Sequence, residues 1–474
     1  MTSTHDWRSV DVRALARTGV VHFMGIAGAG MSALAELVAR SGGTVTGCDL
    51  RPGAAMAAMR EHGIPVATGH DAAHVSDAAA LVVTSAVMAD HPEVAAARAR
   101  GIPVLKRAQL LGAMVNAGTL LAVAGTHGKT TTTAATTSIL DAARLSPTGI
   151  VGGRMAAWGG GLRAGTSDIY VVEADEYDRS FLTLEPAAAV VTNVEPDHLD
   201  IYGDLAGLED GFVAFIGQVR DNGLVAICAD DAGARRVAGR VQRDVLTYGT
   251  GMAADLRATA IEQDGRAMTF TVVEQGNTLG TLTVATPGVH NVRNALGAFA
   301  LARHAGATFD DARTALSAFT GVSRRFQEVG TARAVTVIDD YAHHPTEITA
   351  TLTAARGMFP SRRIVAVFQP HLYSRTRDLS EEFGQALAAA DTVWVTDVYA
   401  AREQPLAGIT GELVARAARA AGAEHVQYVP QRDELFAQLQ RVLSPGDVVV
   451  AMGAGDIDEA THALFANLAR GVTP

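Results

Sequence analysis

The sequence predicts an α/β protein of three domains: an N-terminal Rossmann-like domain, a central P-loop domain carrying an antiparallel meander, and a C-terminal Rossmann-like domain. Three observations carry this. Apolar runs of strand length alternate with helical stretches along most of the chain, the pattern of parallel sheets covered by helices. Two strand-to-helix junctions are glycine turns, at Gly25–Gly30 and Gly125–Gly128. Only residues 255 to 286 switch to period-two alternation, interrupted at Gln263-Asp264-Gly265 and Gln275-Gly276-Asn277, as hairpins require. A chain of 474 residues suits about three domains, each burying its own core, with boundaries expected at 1–115, 116–322 and 323–474.

Composition narrows the class. With 48% hydrophobic and 19% charged residues the chain is globular. A net charge of −11 argues against a nucleic-acid surface, which needs a basic patch. Two cysteines, Cys48 and Cys228, are too few for a disulfide framework or a cysteine-based metal site, so both are expected to pack as small apolar residues in a reducing compartment. The N-terminus has no apolar signal region, and no apolar run approaches the ~20 residues of a membrane span. The expectation is a cytoplasmic protein without membrane insertion, monomer or homodimer.

In the first segment, Val20–Gly25 reads as a strand, followed by the turn Gly25-Ile26-Ala27-Gly28-Ala29-Gly30-Met31-Ser32 and a helix from Ala33 to Arg40. The next strand, Thr44–Cys48, ends on Asp49, 24 positions past Gly25. The layout is that of a Rossmann unit, but the spacing is G-x-x-G-x-G. A nucleotide pyrophosphate at the helix N-terminus is therefore a firmer inference than a nicotinamide, because it needs only the turn and its amides. Strands at 81–84 and 102–105 flank a helix at 92–100. His70 and Ser85 fall on the carboxyl edge, where open sheets bind ligands; a surface polar residue would look the same.

The second segment opens with Leu120–Ala124, then Gly125-Thr126-His127-Gly128-Lys129-Thr130-Thr131, then a helix to about Ala143. Glycines let successive N–H groups converge on a phosphate, and the helix N-terminus adds partial positive charge. In a P-loop the Lys reaches the β/γ-phosphates and the hydroxyl holds Mg²⁺, which points here to Lys129 and Thr130; the spacing is the shorter G-x-x-G-K-T. Of 39 basic residues only Lys106 and Lys129 are lysines. A chain that otherwise writes arginine has kept a compact ammonium inside its glycine loop. This reads as an ATP site. The strand 168–172 leads into Glu173-Ala174-Asp175-Glu176-Tyr177-Asp178, where Glu173 fits the acid that holds Mg²⁺ beside a P-loop. The strand 187–192 ends in Asn193-Val194-Glu195-Pro196-Asp197-His198-Leu199-Asp200, too dense a polar cluster to be decoration; His198 is an unusual Mg²⁺ ligand on chemical grounds. Asn291 and Asn294 share a helix face, suited to an adenine edge or ribose.

The third segment repeats the alternation, with strands at 335–338, 364–368, 392–396, 426–429 and 448–451. Polar clusters close three of them: Asp339-Asp340-Tyr341-Ala342-His343-His344-Pro345, Gln369-Pro370-His371-Leu372-Tyr373-Ser374-Arg375 and Gly453-Ala454-Gly455-Asp456. Arg324 and Arg325 lie in the preceding linker, placed to meet a phosphate or carboxylate. Zinc at His343-His344 has no supporting cysteine or HExxH context.

Taken together, MGIAGAGMSALA, AGTHGKTTTT, EADEYDRSF, TNVEPDHLD, HNVRNALGA, GVSRRF, DDYAHHPTEI and FQPHLYSRT resemble the Mur ligases over essentially the whole chain. The resemblance implies three domains binding UDP-sugar, ATP and amino acid. It implies ATP-dependent joining of L-alanine to the carboxylate of UDP-N-acetylmuramate through an acyl phosphate. By motif, Lys129 would contact the phosphates, and Thr130, Glu173 and His198 would hold Mg²⁺. Asn291, Asn294, Arg325 and Asp340 would hold ATP, with the third domain closing over the second. Tyr341, His343, His371 and Arg375 would meet the muramyl carboxylate and alanine. Asp49, His70, Ser85 and the loop Gly28, Ala29, Gly30, Met31, Ser32 would hold the UDP part. The sequence has no lysine after 129, which excludes the carbamylated lysine of later ligases in the series. Leu372 stands where many relatives carry Arg. The rivals are a murein-recycling ligase that attaches a tripeptide, a folylpolyglutamate synthetase, a P-loop kinase, a nicotinamide oxidoreductase and a nucleotide-binding regulator. The kinase and the oxidoreductase account for one motif each, and the regulator leaves the acidic and His clusters of the second and third segments unexplained.

Overall fold

A computed structural model describes residues 7–50, 53–84, 87–401 and 403–471. Its strands form three sheets. The first is parallel throughout and runs Val66–Thr68, Thr44–Asp49, Val20–Met24, Ala78–Val83, Val104–Lys106. This is Rossmann order, with the switch point beside the strand that feeds the first glycine turn. The helix after that turn starts at Ala29, capped by Gly28. It begins earlier than the expected Ala33, so Ala29, Gly30, Met31 and Ser32 form its first turn rather than a loop.

The second sheet has ten strands. Its parallel centre is Leu246–Gly249, Leu224–Cys228, Ala188–Val191, Thr119–Ala124, Ile169–Glu173 and Thr148–Met155, with Gly160–Arg163 antiparallel at one edge. At the other edge Leu256–Asp264, Ala267–Glu274 and Asn277–Val284 follow as neighbours in chain order, which fits the expected meander. Gly265 and Gly276 take positive φ at its two turns. The two innermost strands of the parallel centre, residues 120–124 of the strand Thr119–Ala124 and Ala188–Val191, are apolar and buried on both faces, as a helix-covered parallel sheet demands.

The third sheet runs Gln327–Ala332, Val335–Asp340, Val448–Met452, Ile364–Phe368, Thr392–Val395, Val426–Tyr428. All pairs are parallel except the first. The antiparallel edge strand Gln327–Ala332 was not legible in the sequence, because its residues (QEVGTA) lack an apolar run.

Contacts divide the chain into two compact units: Met1–Thr259 with Thr271–Leu282 and Arg293–Ala318, and Ala260–Phe270 with Thr283–Val292 and Phe319–Pro474. In the first unit one apolar core runs from Phe23, Leu34 and Leu110 under the first sheet to Leu120, Val172, Phe181 and Phe215 under the second. The helix Ala29–Arg40 packs on Thr148–Met155 and Gly160–Arg163. In the second unit, separate clusters built on Phe368 and Phe383, and on Trp394, Phe436 and Leu464, cover the two faces of the third sheet. Among the described residues, no helix is long and apolar enough to cross a membrane.

The third sheet carries one electrostatic liability. Asp339, expected just after its strand, lies inside it and is completely buried. Burial pushes its carboxyl up to about 7, only partly offset by Arg324. An acid that ionises near 7 when folded but near 3.8 in its ordinary state holds its proton longer in the fold. Its stabilising contribution is thus complete below the ordinary value and lost as pH rises through the folded one. Relative to wild type, Asp339→Asn should gain stability as pH climbs from 4 to 8, on the order of 2–4 kcal/mol at the upper end. Melting temperatures of both proteins across that range check it; parallel curves would show that Asp339 ionises normally.

Candidate active site

In the first unit the glycine loop is built by backbone demands. Gly125 has φ +133°, and a Cβ there would lie 2.0 Å from Thr192 Oγ1; Gly128 has φ +81°, and a Cβ would lie 2.6 Å from Asn294 Oδ1. Neither position accepts a side chain. The loop is laced to the end of the neighbouring strand. Thr126 N–H donates to Asn193 O (3.1 Å) and His127 N–H to Asn193 Oδ1 (2.8 Å). Thr192 Oγ1 and Asn193 Nδ2 donate to His127 O at 2.6 and 3.1 Å. The helix Lys129–Ala142 then starts directly after Gly128, and its first N–H groups have no acceptors within the helix.

Lys129 Nζ turns back into this loop, donating to Gly125 O at 2.6 Å, Thr126 O at 3.1 Å and Glu176 Oε2 at 2.8 Å. Burial works against the ammonium, but Glu176, Asp175 and Glu173 together hold its pKa above the ordinary value. Glu176 faces that one cation with Asp175 against it, and burial pushes its carboxyl up to about 7. Thr130 Oγ1 donates to Glu173, 3.0 Å from each carboxylate oxygen, and Gly152 N–H donates to Glu173 Oε2 at 2.7 Å. A hydroxyl and a carboxylate at this separation are the hard oxygen donors that Mg²⁺ requires. His198 takes φ +53°, a left-handed conformation rare for non-glycine residues, and its ring meets Tyr177 edge-on at 5.1 Å. Asn294 stands against Gly128, while Asn291, grouped with the second unit, donates to Pro287 O at 2.8 Å.

The first glycine turn is tied down by Asp49, which accepts Ala27 N–H at 3.0 Å. Arg107 packs 3.1 Å from the position of a Cβ on Gly30 and reaches Asp175 at 3.4 Å. Lys106 pairs with Asp178 at 2.6 Å. His70 Nδ1 lies 3.1 Å from Cys48 Sγ. Ser85 falls outside the described residues.

The second unit brings the remaining predicted residues together. His343 N–H donates to Glu347 Oε2 at 3.0 Å, and its ring lies 5.2 Å from Tyr341 and 6.0 Å from His371. His371 stacks on Tyr399, and its Nδ1 lies 3.3 Å from Arg375 Nη1. Leu372, between them, takes φ +69°, a strained setting for a branched residue. Arg325 donates to Glu347 Oε1 at 2.9 Å and lies over Tyr341. Burial works against Arg325's charge, yet Glu347 and Asp340 raise its pKa. Asp340 accepts N–H groups from Phe326 and Ala342, each at 2.7 Å, and burial pushes its carboxyl up to about 6. Arg324 is occupied structurally, bonded to Gly453 O and Gly455 O and close to Asp339.

Sequence reasoning missed Glu176, Arg107, Glu347 and Tyr399. Glu176 carried a signal, as the second glutamate of EADE after a buried strand. Glu347 carried a weaker one, in the first turn of a helix opened by Pro345. Arg107 and Tyr399 carried none.

Three family models match the chain in succession: Mur ligase family, catalytic domain, over residues 20–119; Mur ligase middle domain, over 123–302; and Mur ligase, glutamate ligase domain, over 324–455. A UDP-N-acetylmuramate–L-alanine ligase from Salinibacter ruber is 44% identical over 451 residues, 95% of each chain. The chain belongs to the Mur ligase family. A second relative of that description, from Bordetella pertussis, is 45% identical over 95% of this Mur ligase and 98% of its own length. Among solved structures, the UDP-N-acetylmuramate–alanine ligase of Thermotoga maritima superposes with TM-score 0.81 at 30% identity, over 96% of this chain and all of that one. A murein peptide ligase from Psychrobacter arcticus reaches 0.70 at 26% identity, over 95% and 99%.

Removing one partner of a buried ion pair leaves the other without compensation. Lys129→Ala should therefore cost about 3 kcal/mol at pH 7, and adding Glu176→Gln should recover much of the loss. Urea denaturation of the two variants and wild type reads this; an unaltered midpoint in Lys129→Ala would show that Glu176 does not depend on the ammonium.

Proposed function

We propose that this Mur ligase joins L-alanine to the carboxylate of UDP-N-acetylmuramate at the expense of ATP, the first amino-acid addition in peptidoglycan precursor synthesis, in the cytoplasm. The observation that carries the ATP half of the reaction is the glycine loop: Lys129 buried within it, and Thr130 and Glu173 3.0 Å apart at its helix end. The identity of the substrates rests on relatives of that activity that match nearly the whole chain.

The chemistry follows from the weakness of a carboxylate as an electrophile. The muramyl carboxylate attacks the γ-phosphorus of ATP, ADP departs, and the resulting acyl phosphate carries a good leaving group. The alanine amine then attacks the acyl carbon and phosphate leaves, closing the amide bond. Gly125, Thr126, His127 and Gly128 shape the loop that leads into the helix start, and the first helical N–H groups, from Lys129 to Thr131, would cradle the phosphates, with Asn294 beside Gly128. An incoming phosphate exchanges with Glu176 for the Lys129 ammonium, which is then free to follow charge developing on the β/γ-bridge. Thr130, Glu173 and His198 are the residues that would hold Mg²⁺, which when bound would neutralise charge on the phosphates. Asn291, Arg325 and Asp340 would contribute to ATP binding, a role that rests on their motifs. His343, His371, Arg375 and Tyr341 receive the muramyl carboxylate and the amino acid; Arg375 suits a carboxylate by its planar fork. Gly28 to Ser32, Asp49, His70 and Ser85 hold the UDP part. The corresponding domains are 1–115 for UDP-sugar, 116–322 for ATP and 323–474 for the amino acid.

ADP release measured with UDP-N-acetylmuramate and ATP-Mg²⁺, with and without L-alanine, tests the reaction directly. Alanine-dependent ADP and a product heavier by one alanyl residue are expected. Equal ADP without amine would indicate a kinase or ATPase, and turnover only with a tripeptide a recycling ligase. Lys129→Ala should abolish turnover while calorimetry shows UDP-sugar binding retained. His198→Ala should raise the Mg²⁺ concentration needed for half-maximal rate; an unchanged profile would remove His198 from the metal site.

A further inference from the structure

Beneath the first glycine turn, four side chains from four different elements converge. They are His22 in Val20–Met24, Cys48 in Thr44–Asp49, His74 in the turn Ala72–Val75, and Glu93 in the first turn of the helix Pro92–Ala99. One ligating atom of each lies within 4.8 Å of all the others. Cys48 Sγ is 3.5 Å from both Glu93 oxygens, His74 Nδ1 is 3.1 Å from Glu93 Oε1, and His22 Nε2 is 3.9 Å from Glu93 Oε2. Ligands placed tetrahedrally about zinc at ~2.0–2.3 Å stand roughly 3.3–3.8 Å apart, so this set needs only small adjustments to close on an ion. We propose that His22, Cys48, His74 and Glu93 form a structural site for a zinc-class divalent cation.

Two independent features point to a ligand rather than to a self-contained hydrogen-bond network. His22 is 3% exposed, and its Nε2 has no hydrogen-bond partner. A buried polar atom left so costs free energy. Its other ring nitrogen lies 2.9 Å from Thr46 Oγ1. A bond from Nδ1–H to that hydroxyl orients the ring and leaves the Nε2 lone pair facing the cluster, the outer-shell arrangement typical of metal-binding imidazoles. Glu93 is likewise oriented, accepting Asp71 N–H at 2.7 Å. The donor set, one sulfur, two imidazoles and one carboxylate, suits zinc and disfavours Mg²⁺ or Ca²⁺, which take oxygen. A thiolate and a carboxylate neutralise a divalent charge in a site where Cys48 and Glu93 are wholly buried. His74, 23% exposed, offers the way in, and His70 Nδ1, 3.6 Å from Glu93 Oε1, flanks the set. Two cysteines had argued against a cysteine-based metal site; one is enough when two histidines and a glutamate complete the shell.

The ion would pin the turn carrying His74 and the helix carrying Glu93 to the sheet, beside His70 and, at Cys48, next in the chain to Asp49. The test uses the full-length protein, stripped with chelator, desalted and titrated with zinc against a chromophoric competitor. One equivalent should bind, with a rise in melting temperature. Cobalt(II) in its place should give the intense ligand-field bands of a tetrahedral site and a thiolate charge-transfer band. Cys48→Ser and His74→Asn should each bind zinc about 100-fold or more weakly and lose the melting shift, with unfolding curves verifying that both variants fold. Glu173→Gln should bind zinc as wild type does. No stoichiometric binding, a cobalt spectrum unchanged in Cys48→Ser, or zinc lost in Glu173→Gln would each overturn the proposal, the last by locating the ion at the glycine loop.

Discussion

The first unit is organised around one buried ammonium. A lysine drawn into a protein interior must be met by oxygen, and Lys129 finds two loop carbonyls and Glu176. Meeting those partners sets the curl of the loop. The curl in turn forces positive φ at Gly125 and Gly128 and leaves Thr192 and Asn294 so close that neither glycine can carry a side chain. Glu176 can reach the lysine because the strand Ile169–Glu173 lies next to Thr119–Ala124, and because Tyr202 OH holds Glu176 O at 2.7 Å. Loop, acid and sheet order are one solution to one desolvation problem.

The parallel sheets make that solution reusable. Strands that run the same way deliver their carboxyl ends to one edge, and chemistry collects there. The Lys129, Thr130 and Glu173 group stands at such an edge in the first unit. The Tyr341, His343, His371 and Arg375 group stands at another in the second, following Val335–Asp340 and Ile364–Phe368. Both lysines of the chain pair with the segment after Glu173: Lys129 with Glu176, and Lys106 with Asp178. The Lys106 pair is about half exposed on the lysine side and contributes little energy. Its consequence is geometric, since with Arg107 and Asp175 it joins the end of the first sheet to the acidic turn of the second.

Where reading and structure part, the physical reasons are specific. The helix after the first glycine turn begins four residues early because Gly28 itself serves as its cap, and small residues such as Ala29 and Gly30 give no periodic signal. The strand Gln327–Ala332 is an edge strand of intermediate burial, without the apolar run that marks a central one. Asp339 and Asp340 were expected beyond their strand because acids rarely lie inside a buried one. They are tolerated through Arg324 and through backbone N–H donors.

The sequence by itself determined what depends on near neighbours: the alternation that builds three sheets, the glycine turns, the P-loop with its retained lysine, and the acid Glu173 that ends the strand Ile169–Glu173. These are local because a turn, a helix start and a strand face are decided within about ten residues by sterics and periodicity. Tertiary structure alone decided which distant groups meet. Glu176 closing on Lys129, Arg107 on Asp175, Tyr399 on His371, and His22, Cys48, His74 and Glu93 on one another are consequences of strand order and register. No spacing along the chain encodes a distance across a sheet, so these partners become visible only once the strands are laid side by side.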